Sequence, residues 1–206
     1  MPMNKTEPMR LRVTRKQCVL RWQMCLRGML AAVFLLSASL LAADAPSLEH
    51  QVKVAFLIKF GLFVEWPQAK PDSGGEDPFV IGILGNDPFG SSFDEAVKKE
   101  KVGGRSVVVK RAATAEELRE CQIVFISAKE TEGLVAALSQ LSTNGVLTVG
   151  ESPGFARNGG MVGFIKEGGK VRFEINTAVA EKSGLKVSSK LLQVGKVVTG
   201  ESSKHE

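Results

Sequence analysis

The chain of 206 residues has no tyrosine, two histidines and three cysteines, and aromatic residues make up 6% of it. Each shortage excludes something. His50 and His205 cannot furnish a histidine-rich metal cluster, and neither H-E-x-x-H nor C-x-x-C occurs. Aromatics are not interleaved with basic residues, so no stacking platform for single-stranded nucleic acid is encoded. Cys18 and Cys25 lie within the first 43 residues, which leaves Cys121 alone in the remainder and rules out an internal disulfide there. Cys121 precedes an apolar run, Ile123 to Ile126, and reads as a buried, inert thiol, with an intermolecular bridge as the alternative. Nucleotide-binding loops are missing too: there is no G-K-[ST] and no G-x-G-x-x-G.

Positive charge is scarcer in the body of the chain than its total suggests. The formal net charge is +5, yet residues 1–43 hold seven basic residues (Lys5, Arg10, Arg12, Arg15, Lys16, Arg21, Arg27) against one acid, Glu7. Subtracting these from 27 basic and 22 acidic residues leaves 20 and 21 in residues 44–206, a net of −1. A nucleic-acid role argued from the overall basicity therefore fails. The basic segment runs into an apolar stretch, Met29 to Leu41, interrupted by Ser37 and Ser39 and ended by the small residues Ala42, Ala43 and Ala45. That is the layout of an export signal, expected over residues 1–43. Pro46 disfavours cutting after Ala45, and Leu41 is a poor residue at the −3 position of a cut after Ala43. An uncleaved membrane anchor is the alternative, but the stretch falls short of the ~20 apolar residues that a span needs. The domain is expected over residues 46–199, with a frayed tail at 200–206.

Beyond the leader the chain is rich in short, regular elements. Ser47 can cap a helix that Pro67 must stop, so residues 47–66 are predicted helical. Val54 to Ile58 and Phe60 to Val64 are apolar, and the charges beside them, Lys53, Lys59 and Glu65, project in three directions, which leaves no polar face. Such a helix either sits in the core or turns one face to a partner. Phe56, Phe60, Phe63 and Trp66 crowd it, and Phe60, Phe63 and Trp66 are the candidate partner-binding residues because aromatics dominate interface energetics. Strands are predicted at 79–84, 106–110, 122–127 and 146–149, and helices at 91–101, after the Thr114 capping box, and at 131–141. A hairpin is predicted at 161–166 and 170–175, then a helix capped by Asn176 and a last one over 189–198. Alternation ending in a hairpin argues a single α/β domain, a Rossmann-like sandwich with a largely parallel sheet and an antiparallel edge hairpin.

In such folds ligands sit beyond the carboxyl ends of the strands. Asn86, Asp87, Ser127 and Glu151 fall there and are the candidate ligand-binding residues. No catalytic residue and no cofactor is expected. The carboxylate pairs Asp94-Glu95 and Glu116-Glu117 suit solvated helix faces. Gly150-Glu151-Ser152-Pro153-Gly154 fits the G-x-S-x-G nucleophile elbow, but that motif takes an oxyanion donor from the N–H after the serine, and Pro153 has none.

Several segments together resemble the YfiR-like family: Lys53 to Phe60 running into Val64-Glu65-Trp66-Pro67, Ile83 to Gly90, Cys121 to Ser127, Gly145 to Gly150, Phe155 with Asn158-Gly159-Gly160, Phe173 to Asn176, Gly184-Leu185 and Ser188 to Leu192. The resemblance implies an α/β periplasmic regulator, not an enzyme. It would restrain an inner-membrane diguanylate cyclase through the cyclase's periplasmic part, be sequestered by an outer-membrane lipoprotein, act as a homodimer, and so control cyclic-di-GMP and biofilm formation. The redox control of members with paired cysteines does not transfer, since Cys121 stands alone. The alternative function is a periplasmic small-molecule receptor working with a sensor kinase or transporter.

Overall fold

The computed structural model describes residues 47–66, 77–127 and 133–200. The expected leader, most of the loop expected at 67–78, the start of the helix expected at 131 and the tail beyond Gly200 lie outside them.

Helix α1 spans Leu48–Phe63, with the Ser47 hydroxyl accepting from His50 N–H at 3.2 Å. It ends four residues before Pro67, because the chain turns extended at Val64 to form β1 (Val64–Glu65). β1 pairs antiparallel with β9 (Lys186–Val187), a contact no local pattern announces. β2 (Phe79–Leu84), α2 (Ser91–Val97), β3 (Lys101–Val102) and β4 (Arg105–Ala112) come next, then a 3₁₀ turn (Glu116–Leu118), β5 (Ile123–Ile126), α3 (Leu134–Ser142) and β6 (Leu147–Gly150). β7 (Val162–Glu167) and β8 (Lys170–Ile175) form the predicted hairpin, its two-residue turn made by Gly168 and Gly169 at φ 57° and 74°. The chain closes with α4 (Thr177–Lys182), β9, α5 (Ser189–Val194) and β10 (Lys196–Val197).

The main sheet has eight strands in the order β10-β8-β7-β6-β5-β2-β4-β3. Pairing is parallel from β4 through β2, β5 and β6 to β7, and antiparallel in the β7–β8 hairpin and between β3 and β4. The predicted α/β architecture is the one observed. Side chains alternate across the sheet and divide the core into two layers. Ile81, Ile83, Ile123 and Phe125 face α1 and α2, while Leu84, Val124 and Ile126 face Leu118 and α3. Gly82 lies on the second side, where a Cβ would come within 3.0–3.1 Å of Leu118, Cys121 and Val124. Cys121 is buried, and desolvation pushes its thiol up to about 11.

Two local predictions are corrected. The Thr114–Glu117 pair does not open an α-helix: the Thr114 hydroxyl meets the Glu117 carboxylate at 2.6 Å instead of a backbone N–H, and one 3₁₀ turn results. The helix expected over 189–198 stops at Val194. Gly195 lies so close to the sheet that a Cβ would sit 2.5 Å from Phe173, and beyond it the chain becomes β10, parallel to β8.

Candidate functional site at the carboxyl ends of the strands

The chain passes from β2 to β4 on one side and then to β5 on the other, so the order of the strands reverses around β2. This switch point is where doubly wound sheets leave a crevice. Asn86, Asp87, Ser127 and Glu151 all lie at this edge, in different surroundings. Asn86 is exposed. Asp87 is committed: one carboxylate oxygen accepts from Phe89 N–H at 2.7 Å, and the other meets the Arg111 guanidinium at 2.7 Å. Arg111 also pairs with Asp94 at 2.7 Å and holds that carboxyl below its usual range. The loop is thus a clamp between β4 and the start of α2. Ser127 is buried at 3% exposure.

Glu151 reaches back to α1. Its carboxylate accepts from Lys53 Nζ at 2.6 Å, Lys53 pairs with Glu49 one turn earlier at 2.7 Å, and Glu49 pairs with Lys166 at 2.6 Å. The Lys53 side chain is only 8% exposed. Burial alone would lower its pKa, but the hydrogen bonds to Glu151 and Glu49 outweigh that and raise it. Glu49, held by Lys166 and Lys53, titrates far below a normal glutamate, at about 2. The four-residue chain fastens α1 to the sheet at the end where a ligand would be sought. The i,i+4 spacing of Glu49 and Lys53 is a local signal of that pair, but nothing local pointed to Glu151, 98 residues on.

The G-x-S-x-G segment folds as a turn around Phe155. A Cβ at Gly150 or Gly160 would come within 2.4 or 2.2 Å of that ring, and Gly154 adopts φ 70°. The Ser152 hydroxyl is buried without a hydrogen-bond partner among the described residues, so no base touches it. The motif's glycines are therefore explained by packing.

The aromatic residues of α1 turn inward. Phe60 is fully buried, with its ring 5.2 Å from Phe173 and 6.1 Å from Phe164. A side chain with no exposed surface cannot form a contact in this conformation, so the partner-binding expectation for Phe60 is corrected to core packing. Phe63 and Trp66 are half-buried. Trp66 lies edge-on to Phe79 at 5.4 Å, and its indole N–H donates to the Gln122 carbonyl at 3.1 Å. What α1 does expose is a row of other residues, with Leu48 and Leu62 at 75% and 47%.

Two concave regions flank these elements. A groove of about 350 Å³ runs between α1 and the α2 segment, floored by Val54, Ala55, Ile58 and Ala96. A cavity of about 260 Å³ lies at the ends of β2 and β5, bordered by Leu84, Ile126, Thr114 and Gln140. None of Asn86, Asp87, Ser127 and Glu151 lines either. Among the described residues no helix is long and apolar enough to cross a membrane, and no cluster of three or more His, Cys, Asp or Glu could hold a metal ion.

Residues 50–196 match the model of a family described as YfiR/HmsC-like. No curated protein matches the chain. The chain is also similar, at low identity, to solved structures. The ABC domain in complex with L-Trp from Streptococcus pneumonia is 13% identical at a TM-score of 0.42, the match covering 58% of this chain and 55% of that one. A conserved domain protein from Vibrio cholerae O1 biovar El Tor is 12% identical at 0.41, with 58% and 54% covered. The chain thus spans about half the length of the solved structures it matches.

Proposed function

The chain belongs to the YfiR/HmsC-like family, and from that membership we propose that it is a periplasmic regulator that binds an inner-membrane diguanylate cyclase and holds it inactive. The observation that carries this reading is the family match itself, which runs from the first turn of α1 to the start of β10. Control operates by population shift: the regulator binds the inactive form of its target better, and release restores the active form. Moving such an equilibrium from mostly active to mostly inactive needs differential binding on the order of 5 kcal/mol, which an aromatic-containing contact of ordinary size supplies. The accessible edges of Phe63 and Trp66, at the corner where α1 meets β1, are the proposed contact. Sequestration by an outer-membrane lipoprotein relieves the restraint, and residues 1–43 act as the export signal. Deleting the gene is expected to raise cyclic-di-GMP and biofilm formation; an unchanged level refutes the cyclase as target.

A second reading, a periplasmic small-molecule receptor, is favoured by one feature, the cavity at the ends of β2 and β5 beside the switch point. Calorimetry against a metabolite panel tests it. Binding heat that is lost in Thr114→Val but kept in Asn86→Ala would place the ligand in this cavity, and binding lost only in Asn86→Ala would return it to the loop at Asn86 and Asp87.

A further inference from the structure

The eight-stranded sheet ends beside a strand that its last neighbour covers in part. β4 pairs with β2 from Val107 to Ala112, but on its outer side β3 pairs with Arg105 and Ser106 alone. β3 reaches no further because the chain just before it is still leaving α2, with Glu100 N–H donating to the Val97 carbonyl at 3.0 Å. The direction of the remaining backbone groups follows from the pairing. The Ala112 carbonyl turns to β2 and accepts from Gly85 N–H at 3.0 Å. With a period of two, Lys110 and Val108 turn the same way, and Arg111, Val109 and Val107 turn outward. Arg105, which faces Val102 across the Gly103-Gly104 turn, begins that outward row. Among the described residues no strand meets the outward groups of Val107, Val109 and Arg111. We propose that this edge of β4 is a docking site for an extended, acidic segment of a partner protein, which adds as a further strand in line with β3.

Backbone geometry fixes the occupant's conformation. The outward donors and acceptors recur every second residue, about 6.6 Å apart, and a strand is the element whose own groups repeat at that distance. A helix spends its backbone groups internally and has none to offer along its side. Strand addition at a free edge takes its affinity from such main-chain bonds and its selectivity from alternate side chains. Charge fixes the occupant's chemistry. Val107 and Val109 face α1 and α2, while Ala112 faces the opposite layer. Lys110 therefore lies on that opposite side, and so does Lys101, because it is paired with Ser106 and cross-strand partners share a face. Lys99, Lys101 and Lys110 have no carboxylate partner among the described residues; the Lys110 ammonium donates to the Glu117 carbonyl. Most of the nearby acids are already engaged: Asp87 and Asp94 by Arg111, Glu95 by Lys98, Glu116 by Arg119, and Glu117 by the Thr114 hydroxyl. Glu100 is the exception. A segment acidic at alternate residues sets its carboxylates on the side of Lys101 and Lys110 and its other side chains beside Val107 and Val109. A second copy is the wrong occupant, since joining two such edges adds basic to basic, the device by which lysines keep edge strands apart.

The test follows amide hydrogen exchange by NMR in the purified full chain, with a short capped peptide alternating glutamate and valine as the probe. At millimolar concentration the peptide is expected to slow exchange about tenfold at Val107, Val109 and Arg111 and to leave Val108, Lys110 and Ala112 as they were. That alternation is the signature of an added strand. Lys110→Glu is expected to weaken the peptide about fivefold through the reversed cross-strand charge. Val109→Pro, which deletes an outward donor at a position where an edge strand tolerates proline, is expected to weaken it about tenfold. Should Val109→Pro disturb folding by circular dichroism, a peptide methylated on all its amide nitrogens asks the same question of the wild-type chain and is expected to give no protection. No slowing with the acidic peptide overturns the proposal, as does equal slowing at inward and outward amides or protection that survives methylation. A peptide with lysine in place of glutamate that protects equally well overturns the acidic assignment. The measurement needs no cyclase, so its outcome and that of gene deletion on cyclic-di-GMP stand apart.

Discussion

Lys53→Met is the most informative substitution in this fold. It keeps the buried aliphatic stem and removes the ammonium that joins Glu49 to Glu151. Removing one member of a fully buried ion pair typically costs ~3–5 kcal/mol, since the remaining charge is stranded. The Glu151 side chain is 21% exposed and Glu49 keeps Lys166, so water and the second lysine offset part of that loss. The expected destabilisation is about 2 kcal/mol, and at ~2–4 °C per kcal/mol for a domain of this size the midpoint falls by roughly 4–8 °C. Glu151→Gln should cost about 1 kcal/mol, because Lys53 retains Glu49. The double variant should lose clearly less than the sum, with a coupling of about 1 kcal/mol. Acid adds a second signature. Glu49 titrates at about 2 in the folded chain, below the unfolded value of ~4.5. Its stabilisation is complete above that unfolded value and disappears as the pH falls from about 4.5 towards 2. Partial exposure limits it to about 1 kcal/mol. Lys53→Met removes one of the two cations responsible, so the gap between variant and wild type should narrow over that window. Urea titrations at pH 7 and pH 3 measure both effects. A Lys53→Met chain within about 0.5 kcal/mol of wild type, or strictly additive single variants, would show that the pair does not fasten α1 to the sheet.

The same packing has other measurable consequences. Phe60→Ala should destabilise by ~3–5 kcal/mol in chemical denaturation, since the ring is fully buried between Phe164 and Phe173; a change under about 1 kcal/mol would reopen its role as a surface residue. Asn176→Ala should cost about 2 kcal/mol, because the side chain caps α4 through Val179 N–H at 3.2 Å and also donates to the buried Ala156 carbonyl at 2.8 Å. Peptide mapping after iodoacetamide at neutral pH should find Cys121 unmodified in the native chain and modified in denaturant, given its burial and a thiol pushed up to about 11. Gly150→Ala should cost several kcal/mol and broaden the unfolding transition, as its Cβ would fall 2.4 Å from the Phe155 ring.

Much of this fold is written in short-range patterns. Phe79–Leu84 and Ile123–Ile126 are continuous apolar runs because both faces of the central strands are covered, and such runs are visible without knowing what covers them. Gly168-Gly169 and the Ser47 and Asn176 caps are equally local, since each satisfies backbone geometry within three or four residues. Where local pattern misleads, a distant neighbour decides. A helix-favouring run stops at Gly195 because Phe173 leaves no room for a side chain there. Phe60 looks like an interface aromatic until the β7–β8 hairpin, far along the chain, closes over it.

The candidate site divides in the same way. The carboxyl ends of the strands could be placed from element order, and the unsuitability of Ser152 from the imino nitrogen next to it. That Lys53 would find Glu151 and that Asp87 would be taken up by Arg111 depended on the order in which strands assemble. Periodicity and capping act over a few residues and survive in the bare string. Burial and ion pairing depend on which distant segments close the loop between them, and only the assembled sheet specifies that.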